Sequence, residues 1–198
     1  MTIDAPDLGV LLLAGGKSRR MGRDKATLEY RGKTQLERIY GLVGTLGLPV
    51  HLSVRKGQRA NLPEVEAIPD AEGLEGSGPM AGMLSAFGEH PGRAFLVIAC
   101  DLPFLDRGTL DYLLENRDPS KIATAYRSAH GGLPEPLCAI WEPSSSPILK
   151  ESLADGKRCP RKILIQKETH LLGLPNPDAL DNINTPEEYE DALARLKT

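Results

Sequence analysis

Residues 8–25 read LGVLLLAGGKSRRMGRDK, an apolar run that passes directly into a glycine-rich, basic loop. The six residues from Leu8 to Leu13 have the length and composition of a short buried strand, and Gly15 and Gly16 indicate a tight turn after it. Adjacent glycines also allow backbone N–H groups to converge on one point, which is an arrangement that binds anions. The segment therefore predicts a strand followed by an anion-binding loop.

The charge of this loop differs from that of the rest of the chain. The segment from Lys17 to Lys25, both included, contains five basic residues and one acidic residue, which gives a local net charge of +4. Since the whole chain has a net charge of −3, the other residues sum to −7. Positive charge confined to one short loop does not form the broad basic face that nucleic-acid binding requires. We expect no nucleic-acid partner, and a small polyanion such as a nucleoside triphosphate as the ligand.

Composition and cysteine usage narrow the class of protein further. With 40% hydrophobic and 26% charged residues, the chain has the composition of a globular protein rather than a disordered one. No apolar run approaches the ~20 residues of a membrane span, and the N-terminal residues lack the pattern of a secretory signal. None of the three cysteines forms a CxxC pair, which argues against disulfides and zinc knuckles. We expect a cytoplasmic protein with no membrane partner.

Outside the loop, apolar strands alternate with helical segments. Strands are predicted at 8–13, 49–54, 65–68, 94–100, 122–126, 137–141 and 169–172, and helices at 35–46, 79–88, 106–115, 147–153, 160–165 and 186–196. This alternation predicts βαβ units in an α/β fold, with a mostly parallel twisted sheet and helices on both faces. The proline-containing segment 131–142 breaks the alternation and predicts a small antiparallel insertion. Residues 1–198 are expected to form one domain.

A second candidate site follows the most apolar strand. Asp101 comes directly after the segment 94–100 and before Leu102 and Pro103. In an open parallel sheet, ligands bind in the crevice beyond the carboxyl ends of the strands, so Asp101 is predicted to share a crevice with the glycine-rich loop. A carboxylate in that place suits Mg²⁺ beside phosphate groups. A cap for the following segment is the alternative role.

Two further segments offer groups to a ligand. Asn182 and Asn184 lie on the same side of an extended segment and can present amide oxygens to a metal or ligand, while Thr185 starts a capping-box pattern for the last helix. The small residues around Gly78 and Pro79 begin a helix and allow a planar group to approach the backbone. A flexible loop is the alternative reading of that second segment.

The four histidines do not indicate a metal site. His51, His90, His130 and His170 are scattered along the chain, and none has a partner at a metal-ligand spacing. They are predicted to lie at the surface. The sequence also lacks a GxSxG elbow or a Cys/His arrangement, so no covalent nucleophile is indicated.

The loop and three later segments together resemble one family of enzymes. LLLAGGKSRRMGRDK closely resembles the signature LAGGxxxRMGxDK of the nucleotidyltransferases that activate molybdopterin. GPMAGM, ACDLPFL and NINTPEE then follow in the order found in the molybdenum cofactor guanylyltransferases of the MobA type. The resemblance spans essentially the whole chain. It implies that residues 1–198 form a single MobA-like nucleotidyltransferase domain with a Rossmann-like sheet.

The resemblance also implies roles for individual residues. The backbone from Leu13 to Gly15 would hold the guanine nucleotide, Lys25 would contact its phosphates, and Asp101 would bind both GTP and Mg²⁺. Ser53 stands where the family often has asparagine. The full set expected to contact the nucleotide or the metal is Leu13, Ala14, Gly15, Gly16, Lys25, Ser53, Asp70, Gly78, Pro79, Asp101, Asn182 and Asn184. Lys25, Asp101 and Arg20 are the residues expected to act in catalysis.

The reaction that the resemblance implies is GMP transfer. The terminal phosphate of molybdopterin would attack the α-phosphorus of GTP and expel pyrophosphate, with Mg²⁺, or Mn²⁺ as an alternative, as the cofactor. Because the two substrates repel one another, basic groups such as Lys25 and Arg20 are expected to offset their charge. Proteins that deliver molybdopterin or mature molybdoenzymes are expected as transient partners.

Two other functions remain open. One is a related nucleotidyltransferase that uses CTP or a sugar-phosphate acceptor, and the other is a catalytically silent nucleotide-binding domain. LAGG in place of LAAG, together with GPMAGM, favours GTP over CTP. The presence of Lys25, Asp101 and both asparagines favours an active enzyme, since a silent relative usually loses its phosphate and metal groups first.

Overall fold

The computed structural model describes residues 5–15, 29–30, 32–58, 65–183 and 185–197. The strands in these ranges are β1 Leu8–Leu13, β2 Glu29–Tyr30, β3 Lys33–Thr34, β4 Val50–Val54, β5 Glu66–Pro69, β6 Ala94–Ala99, β7 Ala123–Arg127, β8 Pro134–Trp141 and β9 Thr169–Leu172. The helices are α1 Gln35–Gly44, α2 Pro79–Glu89, α3 Arg107–Glu115, α4 Ser145–Ala154, α5 Pro160–Gln166 and α6 Pro186–Lys197. The predicted strands and helices are therefore confirmed, with bounds that differ by a few residues.

Seven strands form one mixed sheet in the order β5-β4-β1-β6-β8-β7-β9. β5, β4, β1 and β6 are parallel neighbours, and β9 is parallel to β7. β8 runs antiparallel to both β6 and β7, so the antiparallel segment expected between residues 131 and 142 is a strand inside the main sheet. β2 and β3 form a separate antiparallel hairpin. The predicted α/β fold with a mostly parallel sheet is confirmed.

Alternate residues of the central strands pack on opposite faces of the sheet. Val10 and Leu12 of β1 lie in one cluster with the apolar residues of α1 and α3, whereas Leu11 lies in a second cluster with those of α2, α4 and α5. Every residue of β6 is buried, as expected for a strand covered on both faces. The sheet therefore has helices on both faces, and the loops lie at the ends of its strands.

Local hydrogen bonds fix where the helices begin. Thr34 Oγ1 accepts a hydrogen bond from Glu37 N at 3.2 Å, and Thr34 N donates to Glu37 Oε2 at 2.7 Å, which is a capping box for α1. The capping box predicted at the start of α6 is also present, with Thr185 Oγ1 accepting from Glu188 N at 3.2 Å and Thr185 N donating to Glu188 Oε2 at 3.1 Å. Both helices thus start where the sequence places a threonine followed by a glutamate three residues later.

Two features of the fold were not predicted from the sequence. The hairpin of β2 and β3 has two-residue strands, which are too short to show an alternating apolar pattern. β8 begins at Pro134, earlier than expected, because its register against β7 shifts between Ala125 and Tyr126. Pro136 lies opposite this shift, where the ladder does not require its missing N–H.

No helix within the described ranges has both the length and the apolar composition that a bilayer-spanning segment requires.

Candidate nucleotide site

The loops after the parallel strands start side by side at one edge of the sheet, the edge formed by the carboxyl ends of β5, β4, β1 and β6. Ala14 N donates to Ser53 O at 3.0 Å, and Asp70 N donates to Val54 O at 3.0 Å, so the hydrogen-bonded ladder continues to the last residues of β1, β4 and β5. Asp101 follows β6, the neighbour of β1 on its other side. The structure therefore brings Ala14, Asp70 and Asp101 to the same edge, as the sequence predicted.

The start of the glycine-rich loop is held by a side chain that the sequence analysis missed. Gln58 Nε2 donates to Ala14 O at 3.2 Å, and Gln58 Oε1 accepts from Arg55 N at 3.2 Å. A Cβ atom at Gly15 would lie 3.3 Å from Arg55 Cγ, so a side chain at residue 15 would press against the loop after β4. Arg55 directly follows a parallel strand, which is the signal that could have identified it.

Asp70 is half-buried at this edge, between groups of opposite charge. Burial raises the pKa of the Asp70 carboxyl above its ordinary value, and the nearby Glu75 carboxylate adds to this effect, while the Arg55 guanidinium opposes it. Helix α2 holds the loop after Asp70, because Ala71 N donates to Ser85 Oγ at 2.8 Å and Ser85 Oγ donates to Ala81 O at 2.8 Å. The position of Asp70 is thus set by the sheet on one side and by α2 on the other.

Helix α2 begins at the same edge. Gly78 adopts a φ of 63° just before the helix, a conformation that glycine adopts without strain, and Pro79 occupies the first turn, where no intrahelical N–H is required. Farther along α2, Gly82 packs directly against Ser53 of β4. Ser53 is only 4% exposed, so the structure places it under α2 rather than on an open surface. Its nucleotide contact stays a prediction.

A second group of residues surrounds Asp101. Ile183 N donates to Asp101 O at 3.2 Å, which brings Asn182 next to the end of β6 although the two lie far apart in the chain. Ile183 packs with Tyr30 and Tyr189 in a small apolar cluster formed by the β2–β3 hairpin and α6. These elements, which contribute nothing to the main sheet, hold the asparagine segment beside Asp101.

The electrostatic environment confirms that these groups are close together. Burial raises the pKa of Tyr30 to about 12, with further contributions from Tyr189 and from the negative charge of Asp101, while the Arg38 guanidinium acts in the opposite direction. Arg38 lies 5.5 Å from the Tyr30 ring centroid, and its Nη1 donates to Pro103 O at 3.0 Å. Neither Tyr30 nor Arg38 was predicted from the sequence, because neither belongs to a motif.

The donor chemistry at this edge fits a hard divalent cation. Asp101 is half-buried and supplies a carboxylate, and Asn182, joined to it through the adjacent Ile183, supplies an amide oxygen. Carboxylate and amide oxygens are the ligands that Mg²⁺ accepts together with substrate phosphates. Gly16, Arg20, Lys25 and Asn184 lie outside the described residues, so their roles remain predictions.

The prediction that the histidines lie at the surface is wrong for His51. His51 is 3% exposed, because its ring packs edge-on to Phe95 and beside His90 on the α2 face of the sheet. His130 is exposed, as expected. Within the ranges that the structure describes, His51, His90 and Glu66 also form a group whose possible ligand atoms lie within 4.8 Å of one another. The sequence spacing gave no indication of this group, because its members come from three different elements.

Comparison with known proteins gives a consistent result. The family model described as the MobA-like NTP transferase domain matches residues 10–170. A molybdenum cofactor guanylyltransferase from Pseudomonas aeruginosa is 30% identical over 188 residues, which cover 92% of each chain. A molybdenum cofactor biosynthesis bifunctional protein from Synechocystis sp. is 37% identical over 180 residues. That alignment covers 90% of this chain, but the chain spans only about half, 52%, of the Synechocystis protein.

The fold has a close counterpart among solved structures. The molybdopterin-guanine dinucleotide biosynthesis protein A from Archaeoglobus fulgidus superimposes with a TM-score of 0.80, at 24% identity, over 96% of this chain and 98% of the archaeal one. At this identity, the similarity shows that the two chains share a fold.

Proposed function

This chain belongs to the MobA-like NTP transferase family and is a nucleotidyltransferase, and from that premise we propose that it transfers GMP from GTP to the terminal phosphate of molybdopterin. The observation that carries the proposal is the row of loops at the edge of β5, β4, β1 and β6. There the Ala14–Gly15 turn, Asp70 and Asp101 follow parallel neighbouring strands. The reaction requires a nucleotide cradle and a metal-binding carboxylate side by side, and this edge supports both.

The nucleotide is proposed to lie along this edge. The backbone of Leu13, Ala14, Gly15 and Gly16 would cradle it, because the two glycines add no side chain between the backbone and a ligand. Arg55 is an additional cation at the same edge, 3.4 Å by its Nε from Gln58 Oε1. Lys25 and Arg20, from the basic loop, would offset the charge of the phosphates. The base would lie toward Asp70, Ser53 and the Gly78–Pro79 start of α2.

Asp101 is proposed as the ligand of Mg²⁺, or alternatively Mn²⁺, with Asn182 and Asn184 as further oxygen donors. A divalent cation bound there supplies positive charge to the phosphates of the substrate. The chain itself holds Asp101 in place through the hydrogen bond from Ile183 N to its carbonyl oxygen at 3.2 Å. Asp101 is therefore proposed to bind the cofactor and not to act as a base.

The bond changes are simple. A terminal phosphate oxygen of molybdopterin forms a new bond to the α-phosphorus, and the bond from that phosphorus to the bridging oxygen breaks, so that pyrophosphate leaves with the electron pair. A phosphate monoester is already largely ionised near neutral pH, its second pKa being about 6. The reaction thus requires no general base, and the protein contributes alignment and charge neutralisation.

The partners and cell compartment follow from the same proposal. GTP and molybdopterin would be the substrates, and proteins that deliver molybdopterin or receive the finished cofactor would make transient contacts. We also propose a cytoplasmic location, as expected from the sequence.

The first test is a thermal-shift comparison of GTP, CTP, ATP and UTP, each with and without Mg²⁺. A ligand at about 100 times its dissociation constant adds about 2.7 kcal/mol to stability, so GTP with Mg²⁺ is expected to raise the melting temperature measurably. A response to CTP alone would contradict the guanine specificity. A lack of response to all four nucleotides would contradict the nucleotide site.

The second test removes the proposed metal ligand. Asp101→Asn keeps the shape of the side chain, and it is expected to lower the rate of molybdopterin-dependent pyrophosphate release by about 100-fold or more, since single electrostatic groups contribute on this scale. Asp111→Asn is the matched control, because Asp111 is an exposed aspartate of α3 that pairs with Arg107. Equal rates for the Asp101 variant and the wild type would exclude the metal role.

A further inference from the structure

The elements that form the proposed nucleotide site carry a second cluster at their opposite ends. His51 is the second residue of β4, Glu66 is the first residue of β5, and His90 follows the last residue of α2. The nucleotide site lies at the carboxyl ends of β4 and β5 and at the start of α2. The two sites are therefore separated by the length of these elements.

The three side chains converge closely. His51 Nδ1 lies 2.9 Å from Glu66 Oε2, and His90 Nε2 lies 3.5 Å from Glu66 Oε1, so each imidazole approaches one oxygen of the same carboxylate. The centroids of the two imidazole rings are 4.4 Å apart. This places two nitrogen atoms and a carboxylate around a common point.

Both nitrogen atoms are buried without a satisfied hydrogen bond. His51 Nδ1 and His90 Nε2 are shielded from solvent, and although Glu66 is near, neither nitrogen is in hydrogen-bond geometry with a partner. Buried polar atoms in folded proteins nearly always have a partner. Two such nitrogens facing one carboxylate form a set of donor atoms that a cation can bind.

We propose that His51 Nδ1, the Glu66 carboxylate and His90 Nε2 bind a divalent transition metal of the Zn²⁺ type. Two histidines and one carboxylate are an established donor set for zinc, with metal–ligand distances of about 2.0–2.2 Å, so the donor atoms would lie about 3.4 Å apart in a tetrahedral site. The donor atoms lie within 4.8 Å of one another, so metal binding requires the side chains to shift by up to about 1.4 Å to reach that tetrahedral spacing. Nitrogen donors also distinguish this site from an all-oxygen Mg²⁺ site.

The charge state of His51 supports metal binding. Burial lowers the pKa of the His51 imidazole below its ordinary value, and the positive charges of His90 and Arg93 act in the same direction, whereas Glu66 opposes them. A lowered pKa favours the neutral form of the imidazole, which is the form that binds metals.

The surroundings of His51 leave room for the change that zinc requires. Arg93 Nη1 lies 3.3 Å from His51 Nε2, and a metal on Nδ1 puts the ring proton on Nε2, so Arg93 has to turn away. Arg93 and His90 line a surface cavity of about 270 Å³ together with Asp7, whose carboxylate offers the guanidinium another partner.

The role of the metal would be structural. A bound ion would link the outermost strand β5 and its neighbour β4 to the C-terminal end of α2. It would not take part in the transfer reaction, because the reacting groups lie at the other end of these elements. Zinc is therefore expected to raise the stability of the protein without being required for nucleotide binding.

The test is calorimetric titration of the chelator-treated full-length chain with Zn²⁺ alone. We expect one Zn²⁺ per chain, and at least a ~100-fold lower affinity in His90→Gln and in Glu66→Gln, because loss of a ligand costs more than the roughly 10–100-fold loss caused by outer-shell changes. His90 is 22% and Glu66 58% exposed, so both variants are expected to fold. Zinc should also raise the melting temperature of the wild type and not that of the two variants.

Two control variants make the result specific. In His130→Gln the altered histidine is 77% exposed and lies 2.9 Å from Asp181, as a histidine–carboxylate pair without a second imidazole, and the zinc affinity should be unchanged. Asp101→Asn should also retain zinc binding, which separates this site from the nucleotide site. Absence of zinc binding in the wild type, or a loss smaller than about tenfold in His90→Gln, would overturn the proposal.

Discussion

Asp70, a residue of the proposed nucleotide site, makes the free energy of unfolding depend on pH. Its carboxyl group is half-buried next to Glu75 and Arg55, and burial raises its pKa above the ordinary value. Between the ordinary and the raised value, the native state binds more protons at this residue than the unfolded state does. The free energy of unfolding therefore falls as the pH rises through this interval.

Replacement of this carboxyl group is expected to remove that pH dependence. The free energy of unfolding of Asp70→Asn, relative to the wild type, should increase as the pH rises from the ordinary to the raised pKa of Asp70, because the variant has no buried charge to form. Urea denaturation at a series of pH values measures the difference.

The neighbouring arginine provides the control for Asp70. Arg55→Gln removes the group that lowers the pKa of Asp70, so the interval of declining stability should extend to higher pH in this variant. A stability difference between Asp70→Asn and the wild type that stays constant with pH would contradict this account.

At the scale of secondary-structure elements, the contact of α2 with β4 depends on one glycine. A Cβ atom at Gly82 would overlap Ser53 Oγ, lie 2.9 Å from Ser53 Cβ and lie 3.0 Å from Leu13 Cδ2. Real Cβ atoms do not approach a strand so closely, so a larger residue would push α2 away from the sheet. Because α2 carries Gly78 and Pro79 at its start, this contact also positions one wall of the nucleotide site.

We therefore expect Gly82→Ala to destabilise the protein by about 1–3 kcal/mol, the usual cost of overpacking, despite the better helix propensity of alanine. Gly88→Ala is the matched control in the same helix, because a Cβ at Gly88 would meet nothing within 4 Å. That variant should be neutral or stabilised by up to about 1 kcal/mol. Equal effects of the two substitutions in chemical denaturation would show that α2 does not pack on β4 as described.

A buried ion pair joins three elements on the other side of the sheet. Arg117 follows α3, and its guanidinium binds both carboxylate oxygens of Glu142 after β8, at 2.8 and 2.9 Å, while its Nη2 also donates to Pro6 O before β1 at 2.9 Å. Glu142 is 1% exposed and Arg117 is 12% exposed, so water screens this pair little. Removal of one partner leaves the other charge buried and uncompensated.

Arg117→Met is expected to lower the free energy of unfolding by about 3–5 kcal/mol, whereas the double variant Arg117→Met/Glu142→Met should cost less than the single one. Lys121→Met serves as the control, because it breaks the exposed Lys121–Glu168 pair at 2.8 Å and should change stability little. Urea denaturation of the four proteins checks the order. A double variant less stable than Arg117→Met would contradict the importance of the uncompensated charge.

At the scale of the whole molecule, one antiparallel strand joins the two parallel parts of the sheet. β8 pairs with β6 on one side and with β7 on the other, and Trp141 lies in register with both Phe95 and Ala123. Helix α2, from the first half of the chain, also packs on α4, from the second half. These shared contacts support the prediction that residues 1–198 form one domain.

Cooperative unfolding tests that prediction. Trp141 is the single tryptophan and is fully buried, so its fluorescence reports on the junction of the two parts of the sheet. Its transition in urea should coincide with the loss of helical signal in far-ultraviolet circular dichroism, as two-state unfolding requires. Loss of the tryptophan signal at a lower urea concentration would show that the two parts unfold separately.

The sequence by itself determined the order and type of the main elements and the edge of the sheet at which the nucleotide site is proposed. The bounds of β1 and β6 were predictable because a strand covered on both faces is a continuous apolar run. Glycine, proline and capping residues end or begin elements such as α2 through local sterics and hydrogen bonds. The places of Gly15 and Asp101 after parallel strands followed from the same information. These signals lie within a few residues of one another.

Only the tertiary structure decided which distant residues meet. Three contacts join groups from separate parts of the chain. They are the hydrogen bond from Ile183 N to Asp101 O, the hydrogen bond from Gln58 to Ala14 O, and the cluster of His51, Glu66 and His90. Such contacts depend on strand order and on how a helix crosses the sheet, and they leave no periodic pattern in the chain. That is why His51 was expected at the surface, yet it lies buried against a second histidine.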